Sequence, residues 1–452
     1  MKLQFLGATD TVTGSRNLLR VNDRHLLVDC GLFQGYKQLR LRNWAKPPLR
    51  AADIDAVILT HAHIDHSGYL PLLVRQGFRG KVYCTAATAD LCRILLPDSG
   101  NLQEEEAAYA NRHSFSRHAP AQPLYTKEDA LRSLKLLKPV ALERDWSPLP
   151  GLQARLSRSG HMAGSSFVRL DDGVRSLLFS GDLGRPNDPV LKPPVRMDGA
   201  DYLVVESTYG DREHPDEQGL QALAAVINRT AARGGAVVIP AFAVGRAQSL
   251  LHAISQLKAQ GAIHHLPVYL DSPMAASALR VYEKHPGELR LSPAECAAMA
   301  DAAHIVDTPQ ASQALSARRG PMVIIAASGM ATGGRVVHHI KAFAPHRRNT
   351  LLFAGFQAGG TRGASITGGA PSVRIHGQEV PIRAEVARLD SLSAHADAGE
   401  IMQWLGGFTA APRTTFITHG EPAAADALRQ RITRELGWAC HMPFYLERVA
   451  LK

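Results

Sequence analysis

The sequence predicts a two-domain α/β protein in which the second domain is inserted into the first. Short apolar runs alternate with helical segments along the 452 residues, which is typical of βα units. A chain of this length is too long to fold around one ordinary hydrophobic core. Motifs rich in histidine and aspartate follow strands up to residue 207 and return only after residue 388. We therefore expect one domain from residues 1–207 and 389–452, with a mostly parallel α/β domain inserted at residues 208–388.

Composition narrows the class of protein. Hydrophobic residues make up 45% of the chain and charged residues 20%, as in folded proteins. No run of about 18 apolar residues predicts a membrane span, and the N-terminus lacks a signal-peptide pattern. Five scattered cysteines without CxxC spacing favour a reducing compartment, so we expect a cytoplasmic location. The formal net charge of +10 favours a polyanionic partner.

The chain begins with three predicted strands. Residues 3–7 and 17–21 have the pattern of a hairpin, and residues 26–29 form a third apolar run that ends at Asp29. Taken alone, Asp29 is a turn residue after a strand.

Residues 60–68 (THAHIDHSG) hold the densest group of metal-ligand side chains. They follow a predicted buried strand at 53–59 and precede a predicted helix at 69–73, so we expect a tight turn at the carboxyl end of a strand. Three imidazoles with one carboxylate are ordinary zinc ligands. The His61-x-His63 spacing can aim two ligands at one metal, while Asp65 and His66 can reach a second.

Two later turns have the same character. Residues 159–165 place His161 in a glycine-rich turn, and residues 176–184 form a strand that ends at Asp182. Taken alone, His161 or Asp182 would be read as a turn residue. Because both follow the HxHxDH segment in order, after strands and glycine-rich turns, they favour a metal site. Between the two groups, the acidic residues 104–106 in a helical region predict a solvated helix face.

The predicted insert follows a buried strand that ends at Glu206. Three of its strand-to-helix junctions suit phosphate, because exposed N–H groups at helix starts and nearby guanidinium groups attract anions. Glycines also serve tight packing, so each junction alone is weak evidence. The candidate phosphate-binding residues are Arg246, Ser328, Gly329, Gly333, Arg335 and Arg362. After the insert, His395 is followed by Asp397, and His419 follows a strand at 414–418.

The HxHxDH pattern at residues 61–66 resembles the signature of the metallo-β-lactamase superfamily. Glu206, His395 and His419 are similar to motifs A, B and C of its β-CASP nucleases, and the resemblance covers essentially the whole chain. It is nearest to bacterial proteins similar to the mRNA 3′-end cleavage and polyadenylation endonuclease. The resemblance implies a metallo-β-lactamase αββα sandwich with an inserted β-CASP domain that caps the active site.

The resemblance also implies roles for individual residues. Two Zn²⁺ ions are expected, one bound by His61, His63 and His161, the other by Asp65, His66 and His419, with Asp182 bridging both; Mn²⁺ or Fe²⁺ suits the same ligands. Asp29 would orient the metal loop. Asp65 and Asp182 take part in catalysis, His395 is the general acid, and Glu206 orients it. A hydroxide bridging the metals would attack phosphorus, giving 5′-phosphate and 3′-hydroxyl ends.

The expected substrate is single-stranded RNA, because motif C is usually histidine in members of the branch that act on RNA. We expect endonucleolytic cleavage, although a 5′→3′ exonuclease would use the same active site, and a homodimer is left open. A metal-dependent hydrolase of a small thioester or lactone is one alternative, which would need neither the insert nor His395 and Glu206. A catalytically idle RNA-binding scaffold is a second, disfavoured because no ligand position is substituted.

Overall fold

The computed structural model describes residues 1–113, 118–214, 219–389 and 392–452; Asp390 and Ser391, beside the predicted motif at His395, lie outside the described residues. The helices are α1 Lys37–Leu41, α2 Ile64–Ser67, α3 Leu70–Arg75, α4 Ala86–Arg112, α5 Lys127–Leu134, α6 Gly219–Ala232, α7 Arg246–Ala259, α8 Pro273–Lys284, α9 Pro293–Ala300, α10 Pro309–Ala317, α11 Arg335–Phe343, α12 Arg362–Thr367, α13 Ala398–Leu405 and α14 Pro422–Leu436.

The strands, likewise in chain order, are β1 Lys2–Phe5, β2 Asn17–Val21, β3 Arg24–Val28, β4 Ala56–Ile58, β5 Lys81–Cys84, β6 Leu137–Pro139, β7 Asp145–Leu149, β8 Leu152–Arg158, β9 Ser166–Asp171, β10 Ser176–Phe179, β11 Tyr202–Glu206, β12 Ala236–Pro240, β13 Val268–Asp271, β14 His304–Ile305, β15 Met322–Ala326, β16 Thr350–Ala354, β17 Ser372–Ile375, β18 Gln378–Pro381, β19 Glu385–Leu389, β20 Thr414–Thr418, β21 Cys440–His441 and β22 Arg448–Ala450.

The chain divides into two compact units. Residues 1–188, 192–213 and 395–452 form the first, and residues 189–191 and 214–394 form the second. The domain limits expected from the sequence, at 207/208 and 388/389, stay predictions. No helix among the described residues is both long and apolar enough to cross a membrane.

The first unit is built on two seven-stranded sheets. Their strand orders are β22-β1-β2-β3-β4-β5-β6 and β21-β20-β11-β10-β9-β8-β7. Apolar side chains from both sheets, among them Phe5, Leu19, Leu156 and Phe179, form one buried core. On the other face of the second sheet, Leu405 of α13 and residues of α14 pack in a separate cluster. The alternation of buried residues along these strands is what lets each sheet cover one core and meet helices on its far side.

Parallel neighbours in each sheet bring the site together. Strands β3 and β4 pair in parallel, as do β10 with β11 and β11 with β20. The carboxyl ends of parallel neighbours lie at the same edge of a sheet, where α/β proteins place ligands. Asp29 and His61 follow β3 and β4, while Asp182, Glu206 and His419 stand at or just beyond the ends of the other three strands.

The second unit has a six-stranded sheet in the order β14-β13-β15-β12-β16-β19, together with the hairpin β17-β18. Every pairing within the six-stranded sheet is parallel, and helix α11 packs over it through Val336, Ile340 and Phe343. The predicted α/β fold with a mostly parallel second sheet is therefore confirmed.

Candidate metal centre

The HxHxDH segment joins the end of β4 to α2, and here the structure differs from the predicted tight turn. Asp65 and His66 lie within α2, and His63 is the residue that precedes its first turn. A one-turn helix places Asp65 and His66 on a different side from His61 and His63. Gly31 permits close packing beneath this helix, since a Cβ at that position would lie 1.5 Å from the carbonyl oxygen of Asp65.

The first ligand set converges as a tetrahedral metal requires. His63 Nδ1 lies 3.1 Å from His61 Nε2 and 3.2 Å from His161 Nε2. Asp182 Oδ2 lies 3.4 Å from the Nε2 atoms of both His61 and His161. Bonds of about 2.0 Å from zinc to its ligands correspond to ligand separations of about 3.3 Å in a tetrahedron. The four donor atoms therefore fit one zinc-sized ion.

The second ligand set shares the same aspartate. His66 Nε2 lies 3.0 Å from His419 Nε2 and 3.1 Å from Asp182 Oδ1. Asp65 Oδ2 lies 3.5 Å from His419 Nε2 and 3.9 Å from His66 Nε2. The two oxygens of Asp182 thus face different ligand sets, which is the arrangement of a bridging carboxylate.

Hydrogen bonds behind the ligands fix which ring nitrogen faces the centre. His66 Nδ1 lies 2.7 Å from Asp29 Oδ2, and Asp29 in turn accepts from the amide and hydroxyl of Thr60. The Thr60 hydroxyl also lies 3.0 Å from His61 Nδ1. Since each Nδ1–H is directed away from the centre, the Nε2 lone pairs point into it.

Thr208 holds His419 in the same way from the other sheet, with Oγ1 lying 3.1 Å from His419 Nδ1. Neither Thr60 nor Thr208 was predicted as a site residue. Thr60 precedes His61 in the sequence, which was an available signal, whereas Thr208 meets His419 only through folding. Asp29 and His419 also have positive φ angles of 61° and 52°, a strained backbone that persists where surrounding contacts enforce it.

The electrostatics of the buried cluster suit cations. Burial, with the neighbouring His61, lowers the pKa of His63 to about 3. Burial also lowers the pKa of His61 and His161. All three imidazoles are therefore neutral near pH 7, the form that binds a metal ion. Burial also opposes the charged form of His66, but Asp182 and Asp29 outweigh it and raise its pKa well above the ordinary value. Asp182 Oδ1 is buried and lies 3.1 Å from His66 Nε2 and 3.5 Å from His419 Nε2. The donor set therefore fits two divalent ions, one of which would replace the proton on His66.

His395 stands beside the metal ligands rather than among them. Its Nδ1 lies 3.1 Å from Glu206 Oε1, and its Nε2 lies 3.9 Å from Asp182 Oδ2. Glu206 is held in place by the backbone amides of Leu183 and Thr208, at 2.6 and 3.2 Å. Burial lowers the pKa of His395, but the charges of Glu206 and Asp182 outweigh it and raise the pKa above its usual value. The ring can therefore carry a proton on Nε2, facing the shared carboxylate.

The three glycine-rich junctions of the second unit meet at one end of its sheet. Gln357 donates to the carbonyl of Gly329, and a Cβ at Gly329 would lie 2.8 Å from the amide nitrogen of Phe242. The Ser328 and Thr332 hydroxyls lie 3.1 Å apart on the middle junction, which continues through Gly333 to α11.

The three arginines predicted to bind phosphate are held by protein acceptors. Arg335 donates to Asp271 at 2.6 Å and to the carbonyl of Val306 at 2.8 Å. Arg246 donates to the carbonyl of Ala354, and Arg362 to the carbonyls of Ala331 and Arg374. These contacts hold the three guanidinium groups against the protein and do not favour phosphate binding by them. Phosphate binding by the three arginines stays a prediction.

Three models of known protein families match successive parts of the chain. The metallo-beta-lactamase superfamily matches residues 14–227, the Beta-Casp domain matches residues 247–366, and the Zn-dependent metallo-hydrolase RNA specificity domain matches residues 379–443. The fold and the two convergent ligand sets thus define a metallo-hydrolase of the metallo-β-lactamase superfamily.

Relatives along the full length place the chain within that superfamily. It is 38% identical over 441 residues to ribonuclease TTHA0252 of Thermus thermophilus, covering 95% of each protein. It is 30% identical over 475 residues to transcription termination factor FttA of Methanocaldococcus jannaschii, covering 100% of this chain and 72% of that protein. The chain belongs to the β-CASP ribonuclease branch, as its motifs predicted, and is a metal-dependent nuclease.

A solved structure supports the fold alone. The crystal structure of a protein of unknown function from Enterococcus faecalis V583 has a TM-score of 0.55 and 13% sequence identity, and covers 100% of this chain and 99% of that one.

Proposed function

We propose that the chain is a zinc-dependent endoribonuclease that hydrolyses phosphodiester bonds in single-stranded RNA and leaves 5′-phosphate and 3′-hydroxyl ends. The observation that carries this proposal is the position of Asp182. Its two oxygens face two separate sets of imidazole and carboxylate donors, and His395 approaches the same carboxylate at 3.9 Å. A phosphodiester placed over this carboxylate would meet both metal positions and a proton donor at once.

Seven side chains would hold the metals: His61, His63 and His161 on one side, Asp65, His66 and His419 on the other, with Asp182 between them. Two bound ions would supply an activated water and stabilise the negative charge that develops on the phosphoryl oxygens. Asp29, Thr60 and Thr208 would keep the imidazoles aimed at the centre, so that little reorganisation is needed during the reaction.

His395 is proposed to protonate the leaving oxygen. An alkoxide is a poor leaving group, so a proton delivered from Nε2 to the 3′ oxygen of the upstream nucleotide lowers the barrier. Glu206 accepts a hydrogen bond from Nδ1 of His395 and stabilises the imidazolium form. The amides of Leu183 and Thr208 hold the Glu206 carboxylate in this orientation. The proton leaves from Nε2, and the ring can regain one from solvent because the side chain is 18% exposed.

Three observations favour RNA. Motif C is a histidine, His419; the relatives that span the chain are named a ribonuclease and transcription termination factors; and residues 379–443 match a domain described by RNA specificity. The net charge of +10 agrees with a polyanionic substrate. In the second unit, we propose that backbone amides and the hydroxyls of Ser328 and Thr332 contact phosphate, since the nearby guanidinium groups are held by the protein.

The test uses a closed circular single-stranded RNA and its linear form, each incubated with zinc-loaded protein. Opening of the circle, abolished by His395→Ala, is the expected result. Degradation of the linear form alone would support the active site but replace the endonuclease with an exonuclease. No cleavage of either RNA would contradict the proposal and favour the hydrolase of small thioesters or lactones.

A further inference from the structure

Residues 36–50 form a surface that the metal centre does not use. This segment contains Lys37, Arg40, Arg42, Lys46 and Arg50 and no acidic residue. Two aromatic side chains in it are largely exposed, Tyr36 at 56% and Trp44 at 57%. Exposed aromatic rings among basic side chains are the composition that binds single-stranded nucleic acid, because bases stack on the rings while cations contact the phosphates.

The segment is held firmly in spite of its exposure. Asn43 is buried, and its side chain accepts from the amide of Phe33 at 2.9 Å and donates to the carbonyl of the same residue at 2.8 Å. The guanidinium of Arg42 lies 4.4 Å from the centre of the Tyr445 ring, and the neighbouring Phe444 is 69% exposed. The amide of Arg40 also donates to the carbonyl of Tyr36, and the amide of Trp44 donates to the carbonyl of Leu41, so the backbone that carries both rings is held by hydrogen bonds.

A short path connects this segment to the metal centre. Arg42 makes a two-pronged ion pair with Asp10, with both distances 2.8 Å. Asp10 belongs to the loop in which the carbonyl of Ala8 accepts from the amide of His419 at 2.6 Å. Two residues span at most about 8 Å along the backbone, so the ion pair lies on the same loop that contacts a candidate metal ligand. The pairing also neutralises Asp10, which would otherwise repel phosphate on this path.

The cations of the segment differ in what they can contact. Arg42 and Arg50 are paired with Asp10 and Asp53. Arg40 lies close enough to Glu106 to act on its carboxyl electrostatically. Lys37 and Lys46 are exposed, and no described residue forms an ion pair with either. The phosphate contacts are therefore assigned to these two lysines.

We propose that residues 36–50 form an accessory platform for single-stranded RNA, on which the part of the substrate beyond the cleavage site stacks against Tyr36 and Trp44. The inference rests on the proposed ribonuclease function and adds a determinant of substrate length. A single-stranded nucleic acid supplies both bases for the aromatic rings and phosphates for the lysines, which favours it over a protein partner.

The test measures RNA binding by the full chain with its metals, in a His395→Ala background that keeps the RNA intact. Dissociation constants are measured by fluorescence anisotropy for a single-stranded RNA of about five nucleotides and one of about twenty-five, a length that exceeds a typical site. Trp44→Ala should weaken binding of the long RNA at least about fivefold relative to the short one. Val174→Ala, an exposed apolar change on the β9–β10 turn, is the control.

Salt dependence tests the lysines independently and does not rely on the fold of the Trp44 variant. Replacing Lys37 and Lys46 together by alanine should reduce the slope of log K against log salt by about 1.4 for the long RNA, because each lost phosphate contact in a single strand is worth about 0.7. Replacing Lys2 and Lys81 together by alanine, at the starts of β1 and β5, is the matched charge control.

Three results would overturn the platform: unchanged binding in both variants, an equal loss for the short and the long RNA, or conversion of a dimer to a monomer by Trp44→Ala with RNA affinity unchanged. The last result would show that a second copy of the chain covers these residues.

Cleavage by the wild-type chain separates the two proposals. If the wild-type chain cuts RNA but the variants bind it as their parent does, only the platform fails; if it neither cuts nor binds RNA, both fail.

Discussion

Replacing His395 by alanine should remove most RNA cleavage while the metal ligands remain in place. His395 faces Glu206 through Nδ1 and reaches Asp182 only at 3.9 Å, so it belongs to neither ligand set. Glu206 keeps its two backbone amide donors when the imidazole is removed. The substitution therefore deletes the proton donor without leaving an unsupported buried carboxylate.

The size of the effect follows from the role of the proton. Positioned general acids contribute about 10²- to 10⁴-fold to rate, so kcat should fall by that factor, equivalent to about 3–5 kcal/mol of barrier. The loss should depend on the leaving group. An aryl phosphodiester such as bis(4-nitrophenyl) phosphate releases a stable phenolate that needs no proton, so the variant should hydrolyse it at a rate close to wild type.

The assay compares kcat for RNA and for the aryl diester, with metal content measured by mass spectrometry of the metal-loaded proteins. His441→Ala is a suitable control, because His441 also pairs with a glutamate, Glu447, at 2.7 Å but is not among the ligand sets. Loss of metal in the His395 variant, or an equal loss of activity on both substrates, would refute the assignment of His395 as general acid.

Other substitutions test the geometry around the ions. Asp182→Asn should reduce the bound metal from two ions to one or none, as counted by native mass spectrometry, because an amide cannot bridge as a carboxylate does. Asp29→Asn should weaken metal binding about 10- to 100-fold in chelator competition, since it removes the anion behind His66; unchanged affinity would mean that Asp29 is merely structural. Gly181→Ala should lower the free energy of unfolding by about 2 kcal/mol, because φ is +50° and a Cβ would lie 2.7 Å from Thr60. Gly151→Ala, where φ is +75° and the space is open, should cost less, and equal thermal shifts would contradict this account.

Sequence reasoning succeeded where the chemistry is local. His61, His63, Asp65 and His66 lie within six residues, and no folding detail is needed to see that such a group binds metal. The positions after strand ends could also be predicted, because parallel strands deliver their carboxyl ends to one edge. Phosphate binding by the arginines of the second unit stays a prediction, since the sequence does not show whether a guanidinium faces a ligand or a backbone carbonyl.

By itself, then, the sequence determined the family, the α/β class and the candidate metal-ligand side chains. Only the tertiary structure decided how they are used. The contacts of the two oxygens of Asp182 with different ligand sets, the hydrogen bond between Thr208 and His419, and the ion pair between Arg42 and Asp10 all join residues from different parts of the chain. Local patterns encode which side chains are present, whereas hydrogen-bond direction and burial depend on neighbours that folding alone brings together.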